Sequence, residues 1–230
     1  VEPKIKDNPF SVSLPLEQVK GEIKGVNLCF RYPSASDLAL DHLNFTIEAG
    51  ETVAIVGLIG SGKSTLANAI PRLLNISPGQ LFLDGIDITT ISLRDLRSAI
   101  AYVPQDSFLF STSIKNNIAY SDPVVDMLEV EYAAKQAQIH PEVMTFPQKY
   151  ETLVGERGIS LSGGQRQRSS LARALYTNAR ILILDDALSS VDNKTATQIL
   201  ENLKAEKGKT TIFITHQMSA AQNADKILVM

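Results

Sequence analysis

The feature that most constrains the fold is the segment Gly-Leu-Ile-Gly-Ser-Gly-Lys-Ser at positions 57–64, which fits the pattern G-x-x-x-x-G-K-S/T. It directly follows an apolar run, Thr52 to Val56, and precedes a helix-compatible stretch that Pro71 should kink or end. Backbone N–H groups of such a loop, and of the helix N-terminus behind it, converge on an anion, and the glycines allow its close approach. The segment therefore predicts a phosphate-binding loop between a strand and a helix.

Two side chains at the end of this loop carry the chemistry of nucleotide binding. Lys63 would place its charge at the β- and γ-phosphates, and the Ser64 hydroxyl would ligate Mg²⁺. The alternative is an ordinary glycine turn before a helix. That alternative is disfavoured because the strand, the loop, the lysine-serine pair and the helix all agree.

The remaining hydrophobic pattern predicts the fold class. Residues 181–184 and 212–214 are, like 53–56, short continuous apolar runs, which are typical of parallel strands covered on both faces. Alternation over 26–32 and 43–47 predicts half-buried antiparallel strands. Residues from about 112 to 178 carry mostly helical patterns. We therefore predict an α/β fold: a mostly parallel sheet, an N-terminal antiparallel β subdomain and an inserted helical subdomain.

The two ends of the chain differ from this core. Residues 1–20 contain three prolines and little periodicity, which predicts a linker or arm. Residues 227–230 are all apolar and predict a buried strand, so we expect the domain to continue beyond this sequence.

Composition excludes several classes of protein. The 22 basic and 25 acidic residues give a net charge of −3, which argues against a general nucleic-acid binder. Cys29 is the single cysteine, so neither an intrachain disulfide nor a multi-cysteine metal site can form. No apolar run approaches the roughly 18 residues of a spanning helix, and the start lacks the apolar stretch of a signal peptide. We expect a chain that neither enters a bilayer by itself nor is secreted by its own signal.

Two further motifs suit a nucleotide. The run 181–184 ends in Asp185, which is well placed to hold Mg²⁺ through its water shell, and Asp186, which would face the attacking water. An acidic turn after a strand is the alternative for this pair. In Leu161 to Gln165, Ser162 can cap the following helix while two glycines expose N–H groups at its positive end. A simple helix cap is the alternative for that segment.

Together the motifs resemble the nucleotide-binding domains of ABC transporters over about residues 21–230. Six motifs occur in that family's order: 57–65, Gln105 in 103–106, 161–165, 181–186, 189–192, and His216 in 214–216. The resemblance implies a P-loop NTPase core that binds and hydrolyses ATP with Mg²⁺. It also implies a head-to-tail dimer in which Leu161 to Gln165, the signature sequence, completes the partner's site.

The resemblance assigns roles to individual residues. Tyr32 would stack on adenine, although taken singly it is a core or edge aromatic, and His216 would contact the γ-phosphate, although taken singly it is a structural histidine. The implied nucleotide-binding residues are Tyr32, Gly57, Gly60, Ser61, Gly62, Lys63, Ser64, Thr65, Ser162, Gly163, Gly164 and Gln165. The implied Mg²⁺ ligands are Ser64, Gln105 and Asp185, and the implied catalytic residues are Asp186, His216 and Gln105. Asp192 would lie in the loop that crosses the dimer interface. His42 and His140 match no motif and are expected to be surface or packing residues.

Two segments resemble exporters in particular. The segment 152–158 is similar to one that lies near the membrane-domain contact, and 108–111 with 114–118 is exporter-like, with a core strand as the alternative for 108–110. The proline-bearing start is similar to the linker after the membrane helices of multidrug and lipid half-transporters. The implied partners are a second nucleotide-binding domain and a transmembrane domain of the same polypeptide, with no nucleic acid. The implied location is the cytoplasmic face of a membrane.

One residue departs from the family pattern. Most members carry Glu where this chain has Asp186, and the shorter side chain ends about 1.5 Å farther from the water. General-base action needs contact within about 3 Å, so the resemblance is to the weakened-site subunit of heterodimeric exporters.

Three functions remain open beside a remote P-loop kinase, which lacks the signature helix. They are an exporter ATPase, a soluble ABC-type ATPase of repair or translation, and a nucleotide-gated clamp with little hydrolysis. A heterodimer is favoured over a homodimer, and the exported substrate is not encoded in this sequence.

Overall fold

The computed structural model describes residues 5–155 and 158–230, with the backbone alone at 218 and 219. Two sheets form the framework. The strands are β1 (Ile23–Phe30), β2 (Leu40–Ile47), β3 (Thr52–Val56), β4 (Leu81–Leu83), β5 (Ile86–Asp87), β6 (Ile100–Val103), β7 (Ile181–Asp185), β8 (Thr210–Ile214) and β9 (Lys226–Val229).

Eight helices accompany these strands within the described residues. They are α1 (Lys63–Ala69), α2 (Leu93–Ser98), α3 (Ile114–Ile118), α4 (Met127–Gln136), α5 (His140–Val143), α6 (Gly163–Tyr176), α7 (Asn193–Ala205) and α8 (Met218–Ala221), with short 3-10 turns at Leu16–Gln18 and Lys149–Glu151. In residues 5–155 and 158–230, none of the helices has both the length and the hydrophobicity of a membrane crossing.

The predicted fold class is confirmed. One sheet is parallel, with strand order β6-β7-β8-β3-β9, and the other is antiparallel, with order β2-β1-β4-β5. The residues of β3, β7 and β8 are all buried, because helices and the second sheet cover both faces of these strands. Helices α3 to α6 occupy the stretch that was expected to be helical.

One local expectation needs correction, and another is confirmed. The last strand, β9, pairs only with β3 at the sheet edge, and Ile227 and Val229 are 44% and 78% exposed, so it is not the buried strand that its composition predicted. Helix α1 ends at Ala69, two residues before Pro71, so the proline ends the helix and does not kink it.

Residues 12–19 are packed on the domain, although the composition of residues 1–20 predicts a linker or arm. Leu14 and Val19 are buried, and Val12 pairs with Ile91 in an isolated bridge. The Ser13 hydroxyl and the Leu14 N–H both donate to the carboxylate of Asp95. These bonds lower the pKa of Asp95. This part of the segment is therefore anchored to the domain.

Candidate functional site

A cleft of about 530 Å³ opens beside the phosphate loop. Its walls come from the residues just after β1, the loop before α1, and the carboxyl ends of β6, β7 and β8. Ligands of parallel sheets are expected to bind at these strand ends. The predicted residues that line it are Tyr32, Gly60, Gly62, Lys63, Ser64, Thr65, Gln105, Asp185, Asp186 and His216. Four of the six motifs, 57–65, 103–106, 181–186 and 214–216, therefore contribute residues to one cleft.

The loop itself is built on a close backbone approach. Gly62 has φ +95°, and a Cβ atom there would lie 2.3 Å from the carbonyl oxygen of Ala39, so only glycine fits. Behind it, Lys63 is the first residue of α1 and its side chain is buried. Its Nζ donates to the carbonyl oxygens of Gly57 at 3.0 Å and Leu58 at 2.6 Å. The ammonium group is therefore held inside the loop by neutral acceptors, where a phosphate could replace them.

Asp185 and Ser64 form the pair that could hold a metal ion. Asp185 is buried, and its Oδ1 accepts a hydrogen bond of 2.9 Å from the Ser64 hydroxyl. Mg²⁺ prefers oxygen ligands and is commonly held by one or two protein oxygens together with phosphates. A carboxylate and a hydroxyl in contact at the edge of a phosphate-sized cleft fit this ion.

Tyr102 completes this pair and was missed by the sequence analysis. It lies on β6 opposite Ile183 of β7, and its hydroxyl donates to Asp185 Oδ2 at 3.0 Å. Burial, with the charge of Asp185 as the next cause, raises the pKa of Tyr102 well above its usual value, so the phenol stays protonated and donates. Each carboxylate oxygen of Asp185 thus has its own hydroxyl donor.

Asp186 follows directly and has a different environment. Its backbone is left-handed, with φ +49°, a conformation in which Asp is enriched over most residues. Burial raises the pKa of its carboxyl, and nearby Asp185 adds to this, while His216 and Lys63 oppose it. Gln105 and His216 are both exposed at the cleft. The arrangement places one carboxyl, one amide and one imidazole around the space in front of Lys63.

Tyr32 occupies the outer end of the cleft. Its ring packs edge-on against Phe30 with centroids 4.9 Å apart, and its hydroxyl lies 3.3 Å from Thr65 Oγ1. The side chain is 37% exposed, so it is an edge aromatic and not a core residue. A base could still stack on this ring.

The predicted signature residues lie elsewhere, at the start of α6. Ser162 caps this helix in a capping box: its hydroxyl accepts from the Gln165 N–H, and the Gln165 side chain accepts from the Ser162 N–H. The amide of Gln165 also donates to Glu142 at 2.8 Å, and Arg168 forms a 2.6 Å ion pair with Glu142. Residues 162–165 do not line the cleft, so they are not part of the pocket around Lys63.

The turn after β7 is fixed against this helix. Gly164 is required there, because a Cβ atom would lie 2.8 Å from the carbonyl oxygen of Ser190. Gln167 is buried, donates to the Ser189 hydroxyl and accepts from the Ser190 N–H. Asp192 then caps α7 by accepting from the Thr195 N–H, which lowers the pKa of its carboxyl. Helix α6 and residues 189–192 therefore form one connected unit. The sequence around Gln167 does not predict this connection.

Comparisons with known proteins identify the family. The family profile described as ABC transporter matches residues 40–189. The chain belongs to the ABC transporter family. The "ATP-dependent lipid A-core flippase" of Syntrophus aciditrophicus is 44% identical over 99% of this chain, and "Multidrug resistance-like ATP-binding protein MdlA" of Escherichia coli is 45% identical over 95%. A solved "bacterial Atm1-family ABC exporter with ATP bound" superposes on all of this chain with a TM-score of 0.92 and 38% identity.

These relatives confirm the resemblance to exporter-type nucleotide-binding domains. The chain spans 37% of the length of each of the two curated relatives and 40% of the solved chain. ATP-binding domains of ABC transporters are in general ATPases that use ATP with Mg²⁺.

The structure describes the exporter-like residues 108–111 and 114–118 in full and the segment 152–158 only in part. Residues 108–110 are not a strand, and Phe108 is 64% exposed, so the interpretation as a core strand is wrong. Phe110 stacks on Tyr120 at 4.3 Å, and the guanidinium of Arg173 lies over both rings. In the segment 152–158, residues 156 and 157 lie outside the described part of the chain.

Proposed function

We propose that this chain is the ATP-binding and ATP-hydrolysing domain of an exporter, which dimerises head to tail around ATP and drives efflux of a substrate across a membrane. The observation that carries this proposal is the convergence of Lys63, Ser64, Gln105, Asp185 and Asp186 on one cleft. Lys63 and the N–H groups around Gly62 would bind the phosphates, and Tyr32 would stack on the adenine.

The Mg²⁺ site follows from the same cleft. Ser64, Asp185 and Gln105 would hold the ion, which neutralises charge on the β- and γ-phosphates when bound. Ser64 would then turn its oxygen from Asp185 toward the metal. Tyr102 would remain as the hydroxyl donor to Asp185, which keeps the carboxylate in place.

Head-to-tail dimerisation is supported by what each half-site lacks. The cleft holds the phosphate loop but none of residues 162–165, which cap and begin a separate helix. Leu58 and Ile59 at the tip of the loop are 83% and 92% exposed, an unusual position for two large apolar side chains. A partner domain that covers the loop with its own signature helix would bury both.

The membrane partner is proposed from the family and from one surface. Phe108 is an exposed aromatic residue that a transmembrane domain could contact. Together with Arg97 and Arg173 it lines a groove of about 540 Å³. We propose that residues 1–20 connect to this domain in the same polypeptide, which places the chain at the cytoplasmic face of the membrane. In a heterodimer, the second nucleotide-binding domain would come from another chain.

The second candidate function is a nucleotide-gated clamp with little hydrolysis, and Asp186 is the observation that favours it. A carboxylate shorter than Glu by one methylene reaches the water poorly, and the left-handed backbone at this position suits Asp better than Glu. The raised pKa of Asp186 acts in the other direction, because it makes the carboxylate a better base.

Two variants, Asp186→Glu and Asp186→Asn, are made in this subunit only, and their comparison with the parent separates the two functions. The assay is steady-state ATP hydrolysis by the dimer. A weakened base predicts that Asp186→Glu is faster by about tenfold or more and that Asp186→Asn loses turnover at this site. Equal rates for Asp and Asn, with ATP binding intact, would instead establish the clamp.

A further inference from the structure

Outside the nucleotide cleft, one group of metal-ligating side chains stands out among residues 5–155 and 158–230. It consists of Cys29 on β1 and of Asp41 and His42 on β2. One ligand atom from each, the sulfur, an imidazole nitrogen and a carboxylate oxygen, lie within 4.8 Å of one another. None of the three lines the cleft. The nucleotide-binding function therefore does not explain the group.

A β-bulge brings these donors together. Leu28 pairs with Leu43 and Phe30 pairs with Leu40, so Asp41 and His42 together oppose the single residue Cys29. In a regular strand, neighbouring side chains point to opposite faces, and only one of the two could reach Cys29. The extra residue and the left-handed backbone of His42, with φ +48°, turn both side chains to the same side.

The contacts within the group already orient the donors. The backbone N–H of His42 donates to Cys29 Sγ at 3.3 Å, and His42 Nδ1 lies 2.5 Å from Asp41 Oδ1. The sulfur of a cysteine binds a metal as its thiolate. Cys29 is half-buried, whereas the side chains of His42 and Asp41 are 65% and 70% exposed. The sulfur is thus held by the backbone, whereas the exposed imidazole and carboxylate, which are bonded to each other, would rotate to meet an ion.

We propose that Cys29, Asp41 and His42 bind a divalent transition-metal ion of the Zn²⁺ class, with water in the fourth position. A thiolate and an imidazole exclude Mg²⁺ and Ca²⁺ as natural occupants, because those ions take oxygen ligands. Tetrahedral Zn²⁺ with bonds of about 2.0–2.3 Å needs its ligand atoms about 3.5 Å apart. Rotation of the two exposed side chains closes the remaining distance.

The single cysteine makes the test specific. We would titrate the 230-residue chain, without nucleotide or Mg²⁺, with Co²⁺, which gives a near-ultraviolet sulfur-to-metal charge-transfer band only when a thiolate is bound. Because Cys29 is the one sulfur ligand of this kind, any such band reports on this site and not on the nucleotide cleft. The proposal predicts a saturable band at one equivalent that Zn²⁺ then displaces, since Zn²⁺ binds such ligand sets more tightly.

Variants and a second readout complete the experiment. Cys29→Ser should abolish the band, His42→Ala should weaken Co²⁺ affinity by about tenfold or more, and the nearby surface control Asp37→Asn should leave it unchanged. Zn²⁺ should also slow alkylation of Cys29 by iodoacetamide in the parent but not in His42→Ala, with circular dichroism confirming the fold of each variant. No thiolate band at excess Co²⁺, or equal affinity in the parent and His42→Ala, would overturn the proposal.

Discussion

The side chains of the phosphate-loop cleft and those at the start of the signature helix, α6, have different kinds of hydrogen-bond partners. In the cleft, the groups that could bind a ligand are hydrogen-bonded to neighbours that a ligand could replace. Lys63 donates to carbonyl oxygens of its own loop, and Ser64 donates to Asp185. At the start of α6 the side chains are bonded to permanent structural partners, as Gln165 and Arg168 are to Glu142. The backbone N–H groups at this helix end are what remains for a ligand.

In the proposed head-to-tail dimer, this difference would give the chain two kinds of half-site. The cleft has the groups to bind a phosphate and a metal, and its present hydrogen bonds must break when they arrive. The start of the signature helix is preorganised, and residues 162–165 carry no charged side chain. We therefore infer that it adds to a bound phosphate but does not capture a nucleotide alone. The predictions below test this contrast, from the largest expected effect to the smallest.

Removing the cleft's cation should have the largest effect. We expect Lys63→Ala to weaken Mg-ATP binding to the single chain by about a hundredfold or more, because several charge-assisted hydrogen bonds are lost. Ser162→Asp, which keeps the helix cap but adds a negative charge, should leave this binding unchanged. Calorimetry on both variants, with exposed Lys207→Ala as control, measures the contrast. Equal losses in Lys63→Ala and Ser162→Asp would place both regions in one site.

A smaller effect is expected from Tyr102→Phe, which removes the donor to Asp185 Oδ2. A hydrogen bond to a charged group contributes about 1.5 kcal/mol, so the factor by which Mg²⁺ strengthens ATP binding should fall about tenfold. ATP affinity measured in EDTA should not change, and neither should the Mg²⁺ effect in Tyr120→Phe. If Mg²⁺-free affinity falls equally, Tyr102 acts through general packing and not on the metal ligand.

The smallest effect concerns stability and pH. Because burial raises the pKa of Asp186 in the folded state, its ionised form destabilises the fold at neutral pH and this penalty disappears as pH falls through the folded pKa. Asp186→Asn, which tolerates the left-handed backbone, should therefore raise the Tm of the nucleotide-free chain by about 1–2 °C at neutral pH and by less at acid pH. Asp192→Asn should gain nothing, because its carboxyl has a lowered pKa. A lower Tm for Asp186→Asn at neutral pH would contradict the raised pKa.

Much of the cleft could be predicted because its signals are local. The phosphate loop, the apolar run before it and the acidic pair after 181–184 are each contiguous, and the parallel-sheet rule places their ends at one edge. The capping box of Ser162 and Gln165 follows from a three-residue spacing in the same way. Local patterns of this kind depend on few distant contacts.

The residues that were missed depend on which strands are neighbours. Tyr102 reaches Asp185 only because β6 lies beside β7, and the strand order is not written in either segment. Gln167 is bonded to a turn more than 20 residues away, and the Cys29 group exists only because of a bulge in register. The exposure of Val229 likewise follows from the edge position of β9, which its apolar sequence does not indicate.

The central claim is that this chain carries one half of each of two composite sites, and it can be tested with the chain alone. The measurement is ATP-dependent dimerisation by sedimentation velocity of Lys63→Ala, of Ser162→Asp, and of an equimolar mixture of both, with Ser162→Asn as the uncharged cap control. If ATP binds between one chain's loop and the other's signature helix, each variant alone should stay monomeric, whereas the mixture has one intact site and should dimerise. No dimer in the mixture, under conditions where the parent and Ser162→Asn dimerise, would contradict the account.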